Sequence, residues 1–507
     1  MKACCIFCLH CQGKNNGIHQ LLYDDSHNKV FFQATQLFII SFLYLQMMTA
    51  KSNKLSLFDF TMIVVSLVIG MGIFRTPLNV AQASPNTFLF FAAWIAGGLV
   101  ALCGALTYAE IGSRLPVTGG YYKVFSYAYH PSIAFAINCV ILVSNAASLA
   151  AVALVGGEYI TGIFIPLSKD VAWTSVAANS SYIQTIHIII AITAIVIFYG
   201  VNLAGLKMSA KTQNVLTVIK IILILLLIAP LFFATNDSTL QPFNSGISPT
   251  LREYIKAFGI GLVAVSFTYG GYQQTINFGA EVDQPAKNIP RGIFFGIAII
   301  ILLYLTINYA YVKVIGFETL QHSKNIAAIM ASKIFGINAE RILSGFLFLS
   351  VLAYVNVLLM SNPRVMYAMS EDNILPPVFK KRNPVTEVLT VSLSVFTAVC
   401  IIIIFWAKEF DKILSFTIFL DCFGMILSAA TIFILRKKTK HLDDTGIYKM
   451  KLFPLMPIVF IAAYVFVAIS ITLDYEKNGY AALIGISVMA VFTGLYFLLA
   501  QLKKNKS

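Results

Sequence analysis

The stretch that decides the fold is SLVIGMGIF, Ser66 to Phe74, which places two glycines inside a long apolar segment. A glycine inside a helix costs roughly 1 kcal/mol relative to alanine. In a lipid bilayer, backbone N–H and C=O groups without a helical hydrogen bond find no water. Such irregular backbone occurs only where protein buries it or where it lines a cavity. Gly70 and Gly72 therefore predict either close helix packing or a break at a binding site.

The composition of the whole chain is that of a membrane protein. Of its 507 residues, 58% are hydrophobic and 11% are charged, and the mean hydropathy is +0.80, whereas soluble domains carry about 25% charged residues. The net charge of +14 is compatible with nucleic-acid binding or with basic residues gathered in cytoplasmic loops. The positions of the basic residues decide between these two explanations.

We predict an all-α integral membrane protein with about twelve transmembrane helices. The predicted spans lie at residues 57–80, 86–113, 130–163, 185–205, 212–234, 255–279, 291–316, 341–370, 386–407, 411–435, 453–473 and 479–501. With the N-terminus inside, about twice as many lysines and arginines fall in cytoplasmic segments as in outside segments. This bias predicts that both termini are cytoplasmic, and no nucleic acid is needed to explain the charge.

A second glycine pair, Gly270 and Gly271, interrupts the sixth predicted span. Interruptions at corresponding places in two halves of a chain point to the binding site of a secondary transporter. Because the interrupted spans are the first and the sixth, the sequence predicts a five-plus-five inverted repeat followed by two additional helices. Unwinding would free N–H groups for a carboxylate and carbonyl groups for an ammonium, so a zwitterionic amino acid suits such a pair of breaks.

The chain divides into three predicted parts. Residues 1–50 form an atypical N-terminal extension, which we attribute to a mis-assigned start codon because their apolar piece is too short to span a bilayer. Residues 51–435 form the transport core, and residues 436–507 form two additional helices and a short tail. Cysteines near the N-terminus lack a suitably spaced fourth ligand, so we predict no metal site and no cofactor.

Five motifs of this sequence resemble signatures of the amino acid–polyamine–organocation (APC) superfamily, in particular its L-type amino acid permease branch. The motifs are Gly70-Met71-Gly72-Ile73-Phe74, Tyr108-Ala109-Glu110-Ile111-Gly112, Phe267-Thr268-Tyr269-Gly270-Gly271, Glu281 to Pro290, and Arg364 to Pro376. The resemblance covers residues 55 to about 435 well and the last two spans only by hydropathy. It implies a LeuT-like fold with broken first and sixth helices.

The resemblance implies a substrate site at the two breaks. The residues that it assigns to this site are Gly70, Met71, Gly72, Ile73, Phe267, Thr268, Tyr269 and Gly270. The first break would meet the substrate carboxylate and the second the amine, with Phe267 as an aromatic lid. Met71 departs from the usual serine and Tyr272 replaces a tryptophan common in the L-type branch, so the resemblance does not name the amino acid.

Four ionisable residues lie within or at the ends of predicted spans, where such residues are functional candidates. One interpretation of Lys220 is a lysine whose ammonium reaches the membrane interface. The resemblance implies another: the ammonium binds the first break at the place where sodium-coupled relatives bind sodium, and it has a role in proton coupling. Arg75 and Asp421 would form an outer gate by resemblance to sodium symporters of this fold; Asp421 as a proton carrier is the alternative. Glu110 is expected to be a structural partner of inner-loop arginines.

The sequence and its resemblance thus predict a sodium-independent transporter of neutral L-amino acids, either an exchanger or a proton-coupled carrier, that works by alternating access. The alternatives are a transporter of polyamines or cationic amino acids and a non-transporting amino acid receptor, which the short C-terminal tail disfavours. No nucleophile–base pair occurs within the spans, so we expect no enzyme activity. Residues 164–184 contain no cysteine, so we expect no disulfide-linked heavy chain but a stand-alone plasma-membrane carrier of bacterial type.

Overall fold

The computed structural model describes residues 54–164, 181–233, 250–323, 326–405, 410–442, 446–473 and 481–504. The predicted N-terminal extension and most of the segment that lacks a cysteine lie outside these residues. The described residues are nearly all helical, and they contain no strand beyond two isolated bridges.

Seven helices form the first half of the described chain and nine the second. The first half contains α1 (Leu57–Val68), α2 (Gly72–Ala83), α3 (Thr87–Arg114), α4 (Gly120–Ala128), α5 (Pro131–Phe164), α6 (Ser181–Leu203) and α7 (Leu206–Ile228). The second half contains α8 (Leu251–Tyr269), α9 (Pro285–Ile315), α10 (Phe317–His322), α11 (Ile326–Phe335), α12 (Ala339–Glu371), α13 (Thr390–Ile404), α14 (Phe410–Lys438), α15 (Leu455–Leu473) and α16 (Ala481–Lys504).

A helix occupies each of the twelve predicted spans. Eight helices of the described residues are long and apolar enough to cross a bilayer, and the pair α1 and α2, bent by 41° at a short break, makes a ninth. The helices of the other three spans, α8, α13 and α16, fall below this length or hydropathy within the described residues. The all-α membrane fold and the broken first helix are confirmed.

Equivalent helices of the two predicted halves pack against each other in pairs. Helix α3 packs along α9, and α5 packs along α12. These are the second and seventh spans and the third and eighth spans, which a pseudo-two-fold axis between the halves would bring together. The packing agrees with the predicted five-plus-five arrangement.

Both broken spans begin with the same local signal. Ser56 and Asp59 form a capping box at the start of α1, and Thr250 and Glu253 form another at the start of α8. In each box the hydroxyl accepts a hydrogen bond from the third helical N–H, and the carboxylate accepts one from the capping N–H. Each broken helix therefore has a start fixed by sequence, and its end is set by the glycines.

A buried ion cluster joins α3 to α14 at the predicted cytoplasmic side. Glu110 is fully buried and accepts hydrogen bonds from Nε of Arg114 (2.8 Å), from Nε and Nη2 of Arg436 (2.8 and 2.7 Å), and from the backbone N–H of Met450 (2.9 Å). The Arg436 guanidinium also lies over the Phe453 ring at 3.8 Å. The expected structural role of Glu110 as an arginine partner is confirmed.

Substitution Glu110→Gln is expected to lower the melting temperature of the purified protein sharply. Removing one partner of a buried ion pair costs about 3–5 kcal/mol because an uncompensated charge stays buried. The matched control is Glu318→Gln on α10, where the residue is exposed. Equal melting temperatures of the two variants would contradict the structural role of Glu110.

Candidate functional site at the two helix breaks

The first break frees backbone donors at the start of α2. Helix α1 ends at Val68, and α2 begins at Gly72 with no side-chain cap. Between them, the Gly70 N–H donates to the Val68 carbonyl at 2.8 Å. The first N–H groups of α2 have no acceptor within their own helix, and the positive end of the helix dipole lies there. This terminus is suited to bind an anionic group.

The second break differs in form from the first. Helix α8 ends at Tyr269, Gly271 has φ of +110°, and a 3-10 helix follows from Tyr272 to Asn277. The Gln273 side chain accepts the Gly271 N–H at 2.9 Å, and the Thr275 hydroxyl donates to the Tyr272 carbonyl at 2.6 Å. These local bonds compete with the α-helical pattern, so the second half of the sixth span is a 3-10 helix.

The two breaks are packed directly against each other. A Cβ at Gly72 would lie 3.0 Å from Oγ1 and 3.1 Å from Cγ2 of Thr268, and a Cβ at Gly271 would overlap the carbonyl oxygen of Leu67. Each break therefore uses one glycine to admit the backbone or side chain of the other. The glycines that the sequence singled out serve this close approach as well as the break itself.

A cavity of about 80 Å³ lies between the breaks. Six of the eight residues predicted for the substrate site line it: Gly70, Met71, Gly72, Phe267, Thr268 and Gly270. The side chains of the other two point elsewhere. Ile73 is fully buried in the core, and the Tyr269 ring packs against Trp94 and Tyr304 with centroids 6.1 and 5.1 Å away.

Seven polar residues line the cavity that the sequence analysis did not assign to it, including Ser266 of α8, Gln273 of the 3-10 helix and Tyr464 of α15. Asn145 and Ser148 come from α5, Gln274 from the 3-10 helix and Tyr354 from α12. The Ser148 and Tyr354 hydroxyls are 2.8 Å apart. Their polarity could have identified the residues that lie within apolar spans, because polar residues in such spans face the interior of a helix bundle.

Lys220 from α7 holds the end of α1. Its side chain is fully buried, and Nζ donates to the Ile69 carbonyl at 2.6 Å and to the Ser66 carbonyl and hydroxyl at 3.4 and 3.3 Å. Snorkelling to an interface is excluded by this geometry. The ammonium satisfies carbonyl groups that the break has released.

A chain of buried amides continues from this site toward the predicted cytoplasmic side. Gln213 donates to the Ser66 hydroxyl, Asn356 donates to Oε1 of Gln213 at 2.7 Å, and Asn202 donates to Oδ1 of Asn356 at 2.9 Å. These residues belong to α7, α12 and α6, so the chain ties three helices to the end of α1. None of them is more than 6% exposed.

The two residues of the predicted gate lie in different surroundings in this conformation. Arg75 of α2 forms an ion pair with Glu158 of α5, with an N–O distance of 3.6 Å, and both side chains are about half exposed. Asp421 of α14 lies in the wall of the cavity. The Arg75–Asp421 pair stays a prediction for another conformation.

Comparison with known proteins assigns the chain to a family. The family model described as amino acid permease matches residues 55–499. The protein belongs to the amino acid permease family. The match includes the last two helices, which the sequence motifs covered only by hydropathy.

Several curated transporters are similar to this chain over most of its length. The serine/threonine exchanger SteT of Bacillus subtilis is 28% identical over 85% of this chain and 94% of its own length. The human cystine/glutamate transporter is 26% identical over 84% of this chain and 82% of its own length. The human large neutral amino acids transporter small subunit 2 is 24% identical over 89% of this chain and 81% of its own length.

Substitution Gly271→Ala is expected to abolish most transport and to lower the melting temperature. A non-glycine residue at this φ costs of order 1–3 kcal/mol, and the new methyl group would push the breaks apart at Leu67. Gly316→Ala is the matched control, because its φ is +91° but its Cβ would meet nothing within 4 Å. Equal losses in the two variants, measured by exchange in proteoliposomes, would show that contact between the breaks is unimportant.

Proposed function

We propose that the protein is a secondary transporter that moves neutral L-amino acids across the plasma membrane by alternating access. The main observation behind this proposal is the cavity that lies between the two facing helix breaks. Its walls include the first residues of α2, at the positive end of the helix dipole, and the last residues of α8 with their carbonyl groups. The carboxylate and ammonium of a zwitterionic amino acid match these two groups.

The proposed pose follows from the polarity of the two helix ends. The carboxylate sits at the first turn of α2, near Gly70, Met71 and Gly72, where the helix dipole favours an anion. The ammonium faces the backbone carbonyls near the C-terminus of α8, where Phe267 and Thr268 line the cavity. Phe267 is then placed to act as an aromatic lid over the substrate.

Lys220 supports sodium-independent transport. Its ammonium donates to the Ile69 carbonyl, and such a carbonyl would otherwise be available to a cation. The positive charge of the ammonium leaves a sodium ion without a favourable site. We therefore propose amino acid exchange or proton coupling in place of sodium symport.

The names of the relatives support amino acids but differ in the side chain. They include hydroxyl-bearing, large neutral and acidic substrates. A transporter of polyamines or cationic amino acids is the second candidate, which the position of Asp421 in the cavity wall favours. A receptor without transport and an enzyme are not supported by any of the relatives named above, which are transporters or a transporter subunit.

The proposal includes the location and the assembly of the carrier. Both termini are cytoplasmic, and the chain acts without a disulfide-linked heavy chain in a bacterial inner membrane. The basic residues in predicted cytoplasmic segments and the absence of cysteine from residues 164–184 support these points. Labelling of single cysteines introduced in the loops of intact cells tests the orientation.

The first experiment is counterflow in sodium-free proteoliposomes loaded with a mixture of unlabelled amino acids, with one labelled amino acid outside at a time. We expect uptake of a group of neutral L-amino acids, and we expect Lys220→Ala to remove most of it because the buried carbonyls lose their donor. Lys211→Ala, an exposed lysine on the same helix, is the control and should keep the wild-type rate. Absence of uptake of every amino acid, with or without sodium, would overturn the proposal.

The gate hypothesis has its own test. If Arg75 and Asp421 pair when the cavity closes to the outside, each single charge reversal should impair exchange by isolating a charge. Reversal of both together should restore exchange. A double variant as inactive as the single variants would exclude the gate and leave Asp421 a role within the cavity.

A further inference from the structure

The cavity contains a carboxylate that no described residue satisfies. Asp421 lines the cavity, and it makes no hydrogen bond or ion pair with any residue that the structure describes. The described residues that line the cavity include no lysine, arginine or histidine. Arg75, the cation predicted to pair with Asp421, contacts Glu158 instead. Among the described lining residues, no cation therefore balances the Asp421 carboxylate.

A second acceptor in the wall is fixed by a chain of amides. Asn362 donates from Nδ2 to the Leu358 carbonyl at 2.9 Å, so its Oδ1 accepts from Nδ2 of Asn145 at 2.7 Å. The Asn145 oxygen then accepts from Nε2 of Gln274 at 3.0 Å. Because a backbone carbonyl can only accept, it orients every amide of the chain. The last oxygen, Oε1 of Gln274, is buried and has no donor among the described residues.

The size of the cavity limits what can meet these two acceptors. Its volume of about 80 Å³ is smaller than the roughly 150 Å³ cavity that admits a benzene ring. The side chains of Val152, Leu358 and Met425 line it beside the polar residues. This volume favours a small amino acid over an aromatic one in this conformation.

We propose that Asp421 and Gln274 accept hydrogen bonds from the substrate side chain. They thereby select small L-amino acids with a hydroxyl or amine in the side chain over apolar and acidic amino acids. The inference rests on the proposed transport of amino acids and adds the class of side chain. An apolar side chain would leave both acceptors unpaired, which a site built around hydrogen bonds penalises. An acidic side chain would place a second negative charge beside Asp421.

The test uses isosteric competitors so that size does not contribute. Counterflow of labelled L-alanine is measured in proteoliposomes against unlabelled L-serine, L-2,3-diaminopropionate and L-2-aminobutyrate, which differ in a hydroxyl, an amine or a methyl group, and against L-aspartate. We expect serine or diaminopropionate to compete roughly tenfold or more better than aminobutyrate, as a hydrogen bond to a charged group would give. Aspartate should not compete.

The variant Asp421→Asn keeps the shape of the side chain and removes its charge. We expect it to lose most of the preference for the donor-bearing competitors over aminobutyrate, whatever its absolute rate of counterflow. Comparison of serine with diaminopropionate tells whether a hydroxyl or an amine is the natural donor. The control is Cys422→Ala, a buried neighbour on α14 that does not line the cavity and should keep the wild-type preference.

Each outcome bears on a different claim. If the wild type shows no preference for serine or diaminopropionate over aminobutyrate, the inference is wrong while amino acid transport stands. If Asp421→Asn lowers counterflow with all competitors in equal proportion, Asp421 acts in gating or coupling, and the inference is again wrong. If Asp421→Asn does not transport, competitor-dependent thermal stabilisation of the purified variant measures the same preference. If the wild type takes up no amino acid, the proposed function itself fails.

Discussion

Contact between the two helix breaks is the constraint on which the rest of the structure depends. Gly72 admits Thr268, and Gly271 admits the Leu67 carbonyl, so each break is packed against the other in the membrane interior. A broken helix exposed to lipid would leave its backbone groups unpaired, at a cost of several kcal/mol each. Here protein covers one side of each break, and the cavity lies on the other. The same glycines therefore protect the unwound backbone and create the space that it lines.

The first break needs a further support because Ser66 and Ile69, whose carbonyls it releases, do not line the cavity. Lys220 provides it by donating to Ile69 and Ser66. Behind it, the amides of Gln213, Asn356 and Asn202 link the end of α1 to α7, α12 and α6. A shift of α1 during alternating access would have to change these bonds. The network thus connects movement of the substrate site with the packing of helices toward the predicted cytoplasmic side.

In the proposed binding mode, the cavity separates recognition of the common part of an amino acid from recognition of its side chain. Helix ends serve the first task with backbone groups, which no substitution of a side chain removes. The second task falls to residues of other helices, and these are acceptors here: Asp421 from α14 and Gln274 after the second break. Relatives that share the breaks differ in the substrates for which they are named. Variation in the residues opposite the breaks is a physical route to such differences.

The membrane class, the positions of the helices, the two breaks and the buried lysine could all be predicted from the amino-acid sequence. Each of these depends on a local property, namely an apolar length, a glycine pair, a capping box or a charge within a span. Only the tertiary structure decided which side chains face the cavity. A helix that is apolar on all sides carries no periodic signal that marks its functional face, and that face is fixed by packing against other helices. For this reason Ile73 and Tyr269 were assigned to the site although their side chains lie in the core. The polar residues of the cavity wall were missed for the same reason: Asn145, Ser148, Ser266, Gln273, Gln274, Tyr354 and Tyr464.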